Sequence, residues 1–290
     1  MKKLNLFIEL IRLKNPIGFM LLFWPCAWGL TLAYDFSNNL NDYFFYLSLF
    51  FLGSILMRSA GCIVNDILDK EFDTKVLRTK NRPLASGKIS IKIALTYVVI
   101  LCFLALLVLL QFNNLTVLLA LGSMPLAFSY PLMKRYTYWP QFFLGITFNY
   151  GLVLGWICIK NEIDIIAIIF YLGAIFWTIG FDTIYGYQDI KDDEIIGIKS
   201  TSIKFKKNPR LFLTLCYSIF AVSLIVIGIH MNFNTIFYLF LIIPIMHLFF
   251  YQIYNFNYKD PKNSLKIFKS NNLVGLIILC NILIGKNLGF

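Results

Sequence analysis

The side chains in this sequence that could perform chemistry lie in two acidic segments, and the first is NDILDKEFD, which begins at Asn65. It directly follows an apolar run long enough to lie in lipid. At about 100° per residue, Asn65, Asp69 and Asp73 share one face of a helix. Arg58 falls on the same face two turns before Asn65, and Asp66 directly follows Asn65. Ionisable groups at membrane depth are costly, so this polar stripe predicts a functional site.

The second acidic segment, DTIYGYQDIKDD, begins at Asp182, again where an apolar run ends. Asp182, Tyr185 and Asp189 recur at helical spacing, and Asp193 lies one turn beyond them. Tyr185 can donate a hydrogen bond inside such a site. Carboxylates concentrated at a membrane boundary repel one another unless cations neutralise them, and hard oxygen ligands suit Mg²⁺. The two segments together predict one shared site for divalent cations.

Basic side chains accompany both acidic segments. They are Arg78, Arg82 and Lys88 after the first segment, Lys134 and Arg135 near the middle of the chain, and Lys199 after the second segment. Carboxylates that hold Mg²⁺, together with Lys and Arg that take the remaining charge, are the components of a diphosphate site. The sequence contains no Gly-rich P-loop, so a nucleotide is not indicated.

The composition indicates an all-α polytopic membrane protein. Of the 290 residues, 59% are hydrophobic and 14% are charged, and the mean hydropathy is +0.72. Soluble domains carry about a quarter charged residues. The apolar runs last about 20 residues, which excludes the short alternating strands of a β-barrel. The net charge of +11 comes from basic residues in alternate short loops, so it indicates membrane topology and no nucleic-acid partner.

Nine membrane helices are predicted, forming one domain over residues 1–290. The apolar runs lie at about 16–34, 43–66, 91–111, 114–132, 140–159, 164–184, 211–230, 233–253 and 272–288. The Lys and Arg distribution predicts a cytoplasmic N-terminus and places both acidic segments on the cytoplasmic side, with only Lys160 and Lys286 opposite. Because the acidic segments are four helices apart and each precedes a basic loop, we expect two four-helix halves plus a ninth helix.

The two acidic segments resemble the aspartate-rich motifs of the UbiA-type intramembrane prenyltransferases. The stretches RLKNPIGFMLLFWPCAWGL, RTKNRPLASGKIS, SYPLMKRYTYWPQFFLGITFNYG and GIKSTSIKF are similar to the branch that acts on 4-hydroxybenzoate. The resemblance covers most of residues 10–205. It implies nine helices around a central cavity open to the lipid bilayer, bound Mg²⁺, a polyprenyl diphosphate donor and a 4-hydroxybenzoate acceptor. A bacterial inner-membrane location is expected.

The resemblance also implies a role for each motif residue. It assigns metal binding to Asn65, Asp66, Asp69, Asp73, Asp189 and Asp193. It assigns diphosphate binding to Arg82, Lys88, Lys134 and Lys199, and Arg78 is a further candidate for this role from its place in the first basic loop. Arg58 or Arg135 would attract the carboxylate of the acceptor. Asp182, Asp189 and Tyr185 are the candidate catalytic residues, and Asp182 or Asp189 would promote electron donation by the phenol or take the ring proton.

Two alternatives remain open on the sequence alone. A prenyltransferase of the same family could use a naphthoate, homogentisate or haem acceptor instead. From a different class, a cation transporter could use carboxylates on repeated halves as an ion path. The loop RTKNRPLASGK argues against the transporter, because clustered Arg and Lys at its entrance would repel the transported cation.

Overall fold

The secondary structure consists of helices throughout residues 2–287, the part of the chain described by a computed structural model. In chain order the helices are α1 (Lys2–Leu10), α2 (Ile17–Ala33), α3 (Leu40–Leu68), α4 (Lys70–Asp73), α5 (Ile91–Leu109), α6 (Asn114–Ser129), α7 (Met133–Tyr136), α8 (Pro140–Lys160), α9 (Ile165–Gly186), α10 (Ile190–Ile196), α11 (Thr201–Lys204), α12 (Pro209–His230), α13 (Thr235–Met246) and α14 (Pro261–Asn287). A 3₁₀ turn joins α6 to α7, and a π-helical segment, His247–Tyr254, extends α13.

The predicted membrane architecture is confirmed. Within residues 2–287, eight helical spans are long and apolar enough to cross a membrane, counting α6 through α7 (Asn114–Tyr136) and α13 with its π-helical extension (Thr235–Tyr254) as one span each. Helix α2 is a shorter apolar helix of 17 residues. Large apolar side chains such as Val99 and Phe103 of α5 point outward, as expected of a surface that contacts lipid. The chain is therefore an integral membrane protein with nine apolar helices in its described part.

The last helix is longer than the sequence predicts, because α14 begins at Pro261 and the apolar run begins near 272. Ser264, Ile267 and Phe268 of its first turns are buried against the bundle, whereas Lys262, Lys266 and Lys269 are exposed. The lysines lower the local hydropathy and hide a helix whose inner face is apolar. This amphipathic extension brings Phe268 to the end of the bundle where the acidic segments lie.

Close packing of α2 against α8 holds the centre of the bundle together. A Cβ atom on Gly29 would lie 1.9 Å from the carbonyl oxygen of Leu152, and one on Gly155 would lie 2.4 Å from the carbonyl oxygen of Cys26. Small residues let helix backbones approach in lipid, where burial of apolar surface gives little preference for helix contacts over lipid contacts. Since residues on every side of α2 are buried, this helix is the core of the fold.

We expect Gly29→Ala to lower the stability of the bundle, because the new methyl group meets a backbone oxygen that cannot rotate away. The cost of such overpacking is about 1–3 kcal/mol, seen as a lower unfolding temperature in detergent. Gly53→Ala on α3 is the matched control, because a Cβ there meets nothing within 4 Å. Equal unfolding temperatures for the two variants would contradict the close contact.

Helix α14 is attached to the core through indole hydrogen bonds. The Nε1 atom of Trp177 on α9 donates to Oδ1 of Asn271 at 2.9 Å, and Nε1 of Trp24 on α2 donates to Oδ1 of Asn272 at 2.9 Å. Nε1 of Trp28 donates to the carbonyl oxygen of Gly275 at 2.9 Å. These bonds satisfy polar groups away from water and fix the register of α14 against α2 and α9.

Candidate functional site

A cavity of about 580 Å³ opens at the end of the bundle where α3 and α9 finish. Its walls come from α2, α3, α8 and α9, and its rim comes from the segments that follow α3 and α9. The two acidic segments, more than 100 residues apart in the sequence, therefore face the same enclosed space.

Most of the residues singled out from the sequence line this cavity. They are Arg58, Asn65, Asp66, Asp69, Asp73, Arg78, Arg82, Lys134, Asp182, Tyr185, Asp189, Asp193 and Lys199. Arg58, Asp182 and Phe148 lie at membrane depth, because they belong to the spans α3, α9 and α8. The cavity thus joins a charged mouth to a deeper part walled by Leu21 and Phe148.

Two predicted residues lie outside the cavity. Lys88 is exposed on the loop before α5 and does not line the walls. Arg135 is also exposed, and its Nη2 atom donates to the carbonyl oxygen of Leu68 at 2.6 Å. Its guanidinium lies 5.2 Å from the ring centre of Phe72. Arg135 thus satisfies a free carbonyl at the end of α3 and stabilises that helix end.

Both acidic segments bend, which differs from the straight helix faces expected from their spacing. Helix α3 ends at Leu68 and α4 begins at Lys70. The residue between them, Asp69, has φ −95° and ψ 2°. In the second segment α9 ends at Gly186, and α10 begins after Asp189, which has φ −119° and ψ 10°. Aspartate is a poor residue for a helix interior and favours such junctions. The bends turn both segments over the mouth of the cavity.

In the first segment, basic side chains neutralise every aspartate of the predicted metal set. Asp66, whose side chain is 2% exposed, pairs with Arg12 and lies 3.2 Å from Nη1 of Arg82. Arg82 also donates to Asp73 at 2.8 Å. Lys134 forms an ion pair with Asp69. Buried charges require such partners, and here the partners come from the loops before α2 and α5 and from α7.

Arg78 connects the two acidic segments. Its Nε atom donates to both carboxylate oxygens of Asp189, at 2.8 and 3.0 Å, and its Nη1 lies 3.4 Å from the hydroxyl of Tyr185. Partial burial lowers the pKa of Arg78, but Asp189 and Tyr185 raise it more, so the pKa lies above its ordinary value. Arg78 is therefore always charged. Tyr185 in turn packs against Phe268 of α14, with ring centres 4.5 Å apart.

Asp193 lines the cavity without an ion pair among the described residues. Burial and the neighbouring charge of Asp189 raise the pKa of Asp193 to about 7, although Lys134 and Arg78 oppose the shift. A carboxylate with a raised pKa is costly to ionise where it stands. A cation bound close to Asp193 would relieve that cost.

Arg12 is the main site residue that the sequence analysis missed. It lies between α1 and α2 at a left-handed φ of 55°, a conformation that few residues other than glycine adopt. Burial lowers the pKa of Arg12, but Asp66 and other neighbours raise it above its ordinary value. The available signal was a charged residue that interrupts an apolar helix shortly before Pro16. Other missed residues that line the cavity are Asn15, Gln141, Gln188 and Lys269.

The residues at the mouth fit Mg²⁺ by their chemistry. They supply carboxylate oxygens and the amide oxygen of Asn65, which are hard ligands. The Oδ1 atom of Asp69 is buried and has no hydrogen-bond partner in the described part of the chain, so it retains a free lone pair. Between residues 2 and 287, no three His, Cys, Asp or Glu side chains converge as a preformed metal cluster. We attribute this to the ion pairs, which draw the carboxylates towards Arg and Lys.

Arg58 differs from the arginines at the mouth. In residues 2–287 its guanidinium makes no hydrogen bond or ion pair, and it lies 5.4 Å from the ring centre of Phe148. Asp182 is within electrostatic range of Arg58 but does not form an ion pair with it. An arginine at membrane depth without an anionic partner is costly, so it indicates a place for an anionic ligand.

Comparison with known proteins identifies relatives over nearly the whole chain. Residues 22–274 match the model of the UbiA prenyltransferase family. A Drosophila melanogaster protein named mitochondrial 4-hydroxybenzoate polyprenyltransferase is 41% identical over 96% of this chain and 71% of its own length. The human protein of that name is 39% identical over 98% of this chain and 76% of its own. A 4-hydroxybenzoate geranyltransferase from Lithospermum erythrorhizon is 39% identical over 98% and 92%.

Solved structures share the arrangement of helices. A UbiA homologue from Aeropyrum pernix superposes with a TM-score of 0.72 at 21% identity, covering 92% of this chain and 98% of that one. A UbiA homologue from Archaeoglobus fulgidus, solved with GPP and Mg²⁺, superposes with a TM-score of 0.71 at 17% identity, covering 98% and 100%. At these identities the likeness establishes the fold.

Proposed function

The chain belongs to the UbiA prenyltransferase family, and we propose that it transfers a polyprenyl group from polyprenyl diphosphate to 4-hydroxybenzoate, at the ring carbon ortho to the phenol. The relatives at about 40% identity carry the name of this activity and align with 96–98% of the chain. The product class is a ubiquinone precursor. A membrane enzyme suits this reaction because a long isoprenoid tail is insoluble in water.

One observation carries the proposal: an anion-binding mouth and an unpaired arginine share one cavity. The mouth collects the carboxylates and basic residues that a metal diphosphate requires. The deeper Arg58 suits a carboxylate. The diphosphate of the donor matches the mouth, and the carboxylate of the acceptor matches Arg58.

We assign the metal to the two acidic segments. Asn65, Asp66, Asp69, Asp73, Asp189 and Asp193 would hold Mg²⁺. When bound, Mg²⁺ supplies positive charge to the diphosphate oxygens and makes diphosphate a better leaving group. The free Oδ1 of Asp69 and the raised pKa of Asp193 support this assignment.

The basic residues at the mouth bind the diphosphate in this proposal. Arg78, Arg82 and Lys134 now neutralise carboxylates, and they turn to phosphate oxygens when those carboxylates serve as metal ligands. The Nζ atom of Lys199 donates to the carbonyl oxygen of Tyr136 at 3.2 Å and lies 5.7 Å from the ring centre of Tyr138. Lys199 lines the cavity and has no ion pair in the described part of the chain, so it can bind phosphate without breaking one. Lys88 and Arg135 lie outside the cavity, and we leave them out of this set.

The reaction then proceeds through an allylic cation. The C–O bond of the donor breaks, and diphosphate leaves with the electron pair while the basic residues stabilise its charge. The ring carbon ortho to the phenol attacks the cation, and the ring proton passes to a carboxylate, for which Asp182 and Asp189 are the candidates. Tyr185 stays in place through its contacts with Arg78 and Phe268. The apolar walls at Leu21, Leu144 and Phe181 keep water from the cation.

The transfer assay tests this function. Membranes containing the chain should transfer a labelled prenyl group to 4-hydroxybenzoate, chelation should remove the activity, and added Mg²⁺ should restore it. Naphthoate, homogentisate and haem acceptors, added in competition with 4-hydroxybenzoate, should be used poorly. Transfer to one of these acceptors, without transfer to 4-hydroxybenzoate, would make that acceptor the substrate. Metal-dependent cation flux in liposomes without any prenyl transfer would favour the transporter.

We place the mouth of the cavity on the cytoplasmic side of a bacterial inner membrane. Six basic residues line the mouth (Arg12, Arg78, Arg82, Lys134, Lys199 and Lys269), whereas Lys160 and Lys286 line a separate pocket with Ala33 and Asp35, which lie at the other end of α2. Diphosphate donors and phenolic acids are charged metabolites, and a cytoplasmic mouth gives them direct access. Residues 1–290 act as one prenyltransferase domain in this proposal.

A further inference from the structure

A glycine lies directly against the arginine in the deep part of the cavity. Gly18 is the second residue of α2, and a Cβ atom there would lie 2.7 Å from Nε of Arg58, 3.3 Å from Nη2 and 3.4 Å from Cζ. Three atoms of one guanidinium are therefore within contact distance of the missing side chain. The guanidinium lies close against α2 at Gly18, and a residue with a Cβ at this position would displace it.

The same guanidinium also lies over an aromatic ring. The ring centre of Phe148 on α8 lies 5.4 Å from Cζ of Arg58, within the range of a cation–π contact. The backbone at Gly18 and the ring of Phe148 thus both contact the arginine and restrict its movement. A planar group held in this way keeps one orientation, and its outer N–H groups are left to bind a ligand.

We infer that Gly18 is a positioning residue for the acceptor: it fixes the plane of the Arg58 guanidinium so that two N–H groups meet the carboxylate of the acceptor. This inference rests on the proposed function. Paired N–H donors bind carboxylates strongly only when the two planes match. Gly18 touches neither substrate in this role and acts only through Arg58. The residue therefore determines how well an acid is distinguished from a neutral phenol.

The first test is Gly18→Ala. The methyl group would displace the end of a flexible side chain and leave backbone atoms in place, so the protein should fold with an unchanged unfolding temperature. The KM for 4-hydroxybenzoate should rise about 10- to 100-fold, the effect of weakening one charge-assisted interaction. The KM for the prenyl diphosphate should stay within about twofold of wild type, since the mouth is untouched. Gly61→Ala on α3 is the control, because a Cβ there meets nothing within 4 Å.

A second test separates positioning from general packing. With 4-hydroxybenzamide, a neutral analogue of the acceptor, Gly18→Ala should match wild type, so that the preference for the acid collapses. In a background that carries Arg58→Met, adding Gly18→Ala should change the KM for 4-hydroxybenzoate no further. An equal loss with acid and amide, or an additive loss in the double variant, would overturn the inference. If wild-type protein does not prenylate 4-hydroxybenzoate at all, the proposed function fails instead.

Discussion

Asp69→Ala and Asp189→Ala should each reduce prenyl transfer by about 10³-fold or more, because each removes a proposed ligand of the Mg²⁺ that would neutralise the charge developing on the leaving diphosphate. Asp69 presents a buried oxygen that has no hydrogen-bond partner within residues 2–287, and Asp189 lines the same cavity from the other acidic segment. The loss should appear in kcat at saturating donor and acceptor. Added Mg²⁺ should not restore activity fully, since the residue that would bind it is missing.

The same chain offers matched controls for these two variants. Glu71 and Asp192 belong to the same acidic segments but do not line the cavity. Glu71→Ala and Asp192→Ala should keep activity within a few-fold of wild type, so that loss of one negative charge alone does not explain the result. Normal activity in Asp69→Ala, with the protein folded in detergent, would remove Asp69 from the metal site.

Arg58→Met should lower kcat/KM for 4-hydroxybenzoate by about 10²- to 10³-fold, because the carboxylate would be left buried without a partner. Transfer to a neutral phenol such as 4-hydroxybenzamide should fall much less. Competition between the acid and the amide in one reaction measures the change directly. Methionine keeps much of the volume and the contact with Phe148, so a packing defect is minimised.

Arg135→Met is the control for this variant and also decides between the two candidate arginines. Arg135 is exposed and donates to the carbonyl oxygen of Leu68, so its loss should weaken the end of α3 and leave acceptor preference intact. The reverse pattern, with preference lost in Arg135→Met and kept in Arg58→Met, would assign the acceptor to the mouth and contradict the deep site.

The sequence was sufficient to predict the helices and the acidic segments. Apolar runs of membrane length are easily recognised, and a carboxylate such as Asp182 inside one of them has few explanations other than function. The start of α14 escaped prediction because Lys266 and Lys269 interrupt the hydropathy while Ile267 and Phe268 pack inward. A hydropathy average includes both faces of a helix, so it misses a helix that is apolar on one face and charged on the other.

The partners within the site could not be predicted from the sequence. Arg12 and Asp66 are 54 residues apart, and nothing local indicates that the loop before α2 folds over α3. Lys88 and Lys134 look equivalent in the sequence, but only Lys134 faces the cavity. The bend at Asp69 lies where its side chain forms an ion pair with Lys134, a residue of a distant helix. These features are set by tertiary packing, and each depends on elements distant along the chain.

The ion pairs at the mouth have a consequence for how the protein is made. A ribosome delivers Lys134 only 65 residues after Asp69, and Asp189 arrives 111 residues after Arg78. Until those later segments emerge, the nascent chain holds charges near the bilayer that have not met their final counterparts. We expect α2, α3 and α5 to remain loosely associated during insertion. The ion pairs of the mouth should be complete only when α9 has entered the membrane.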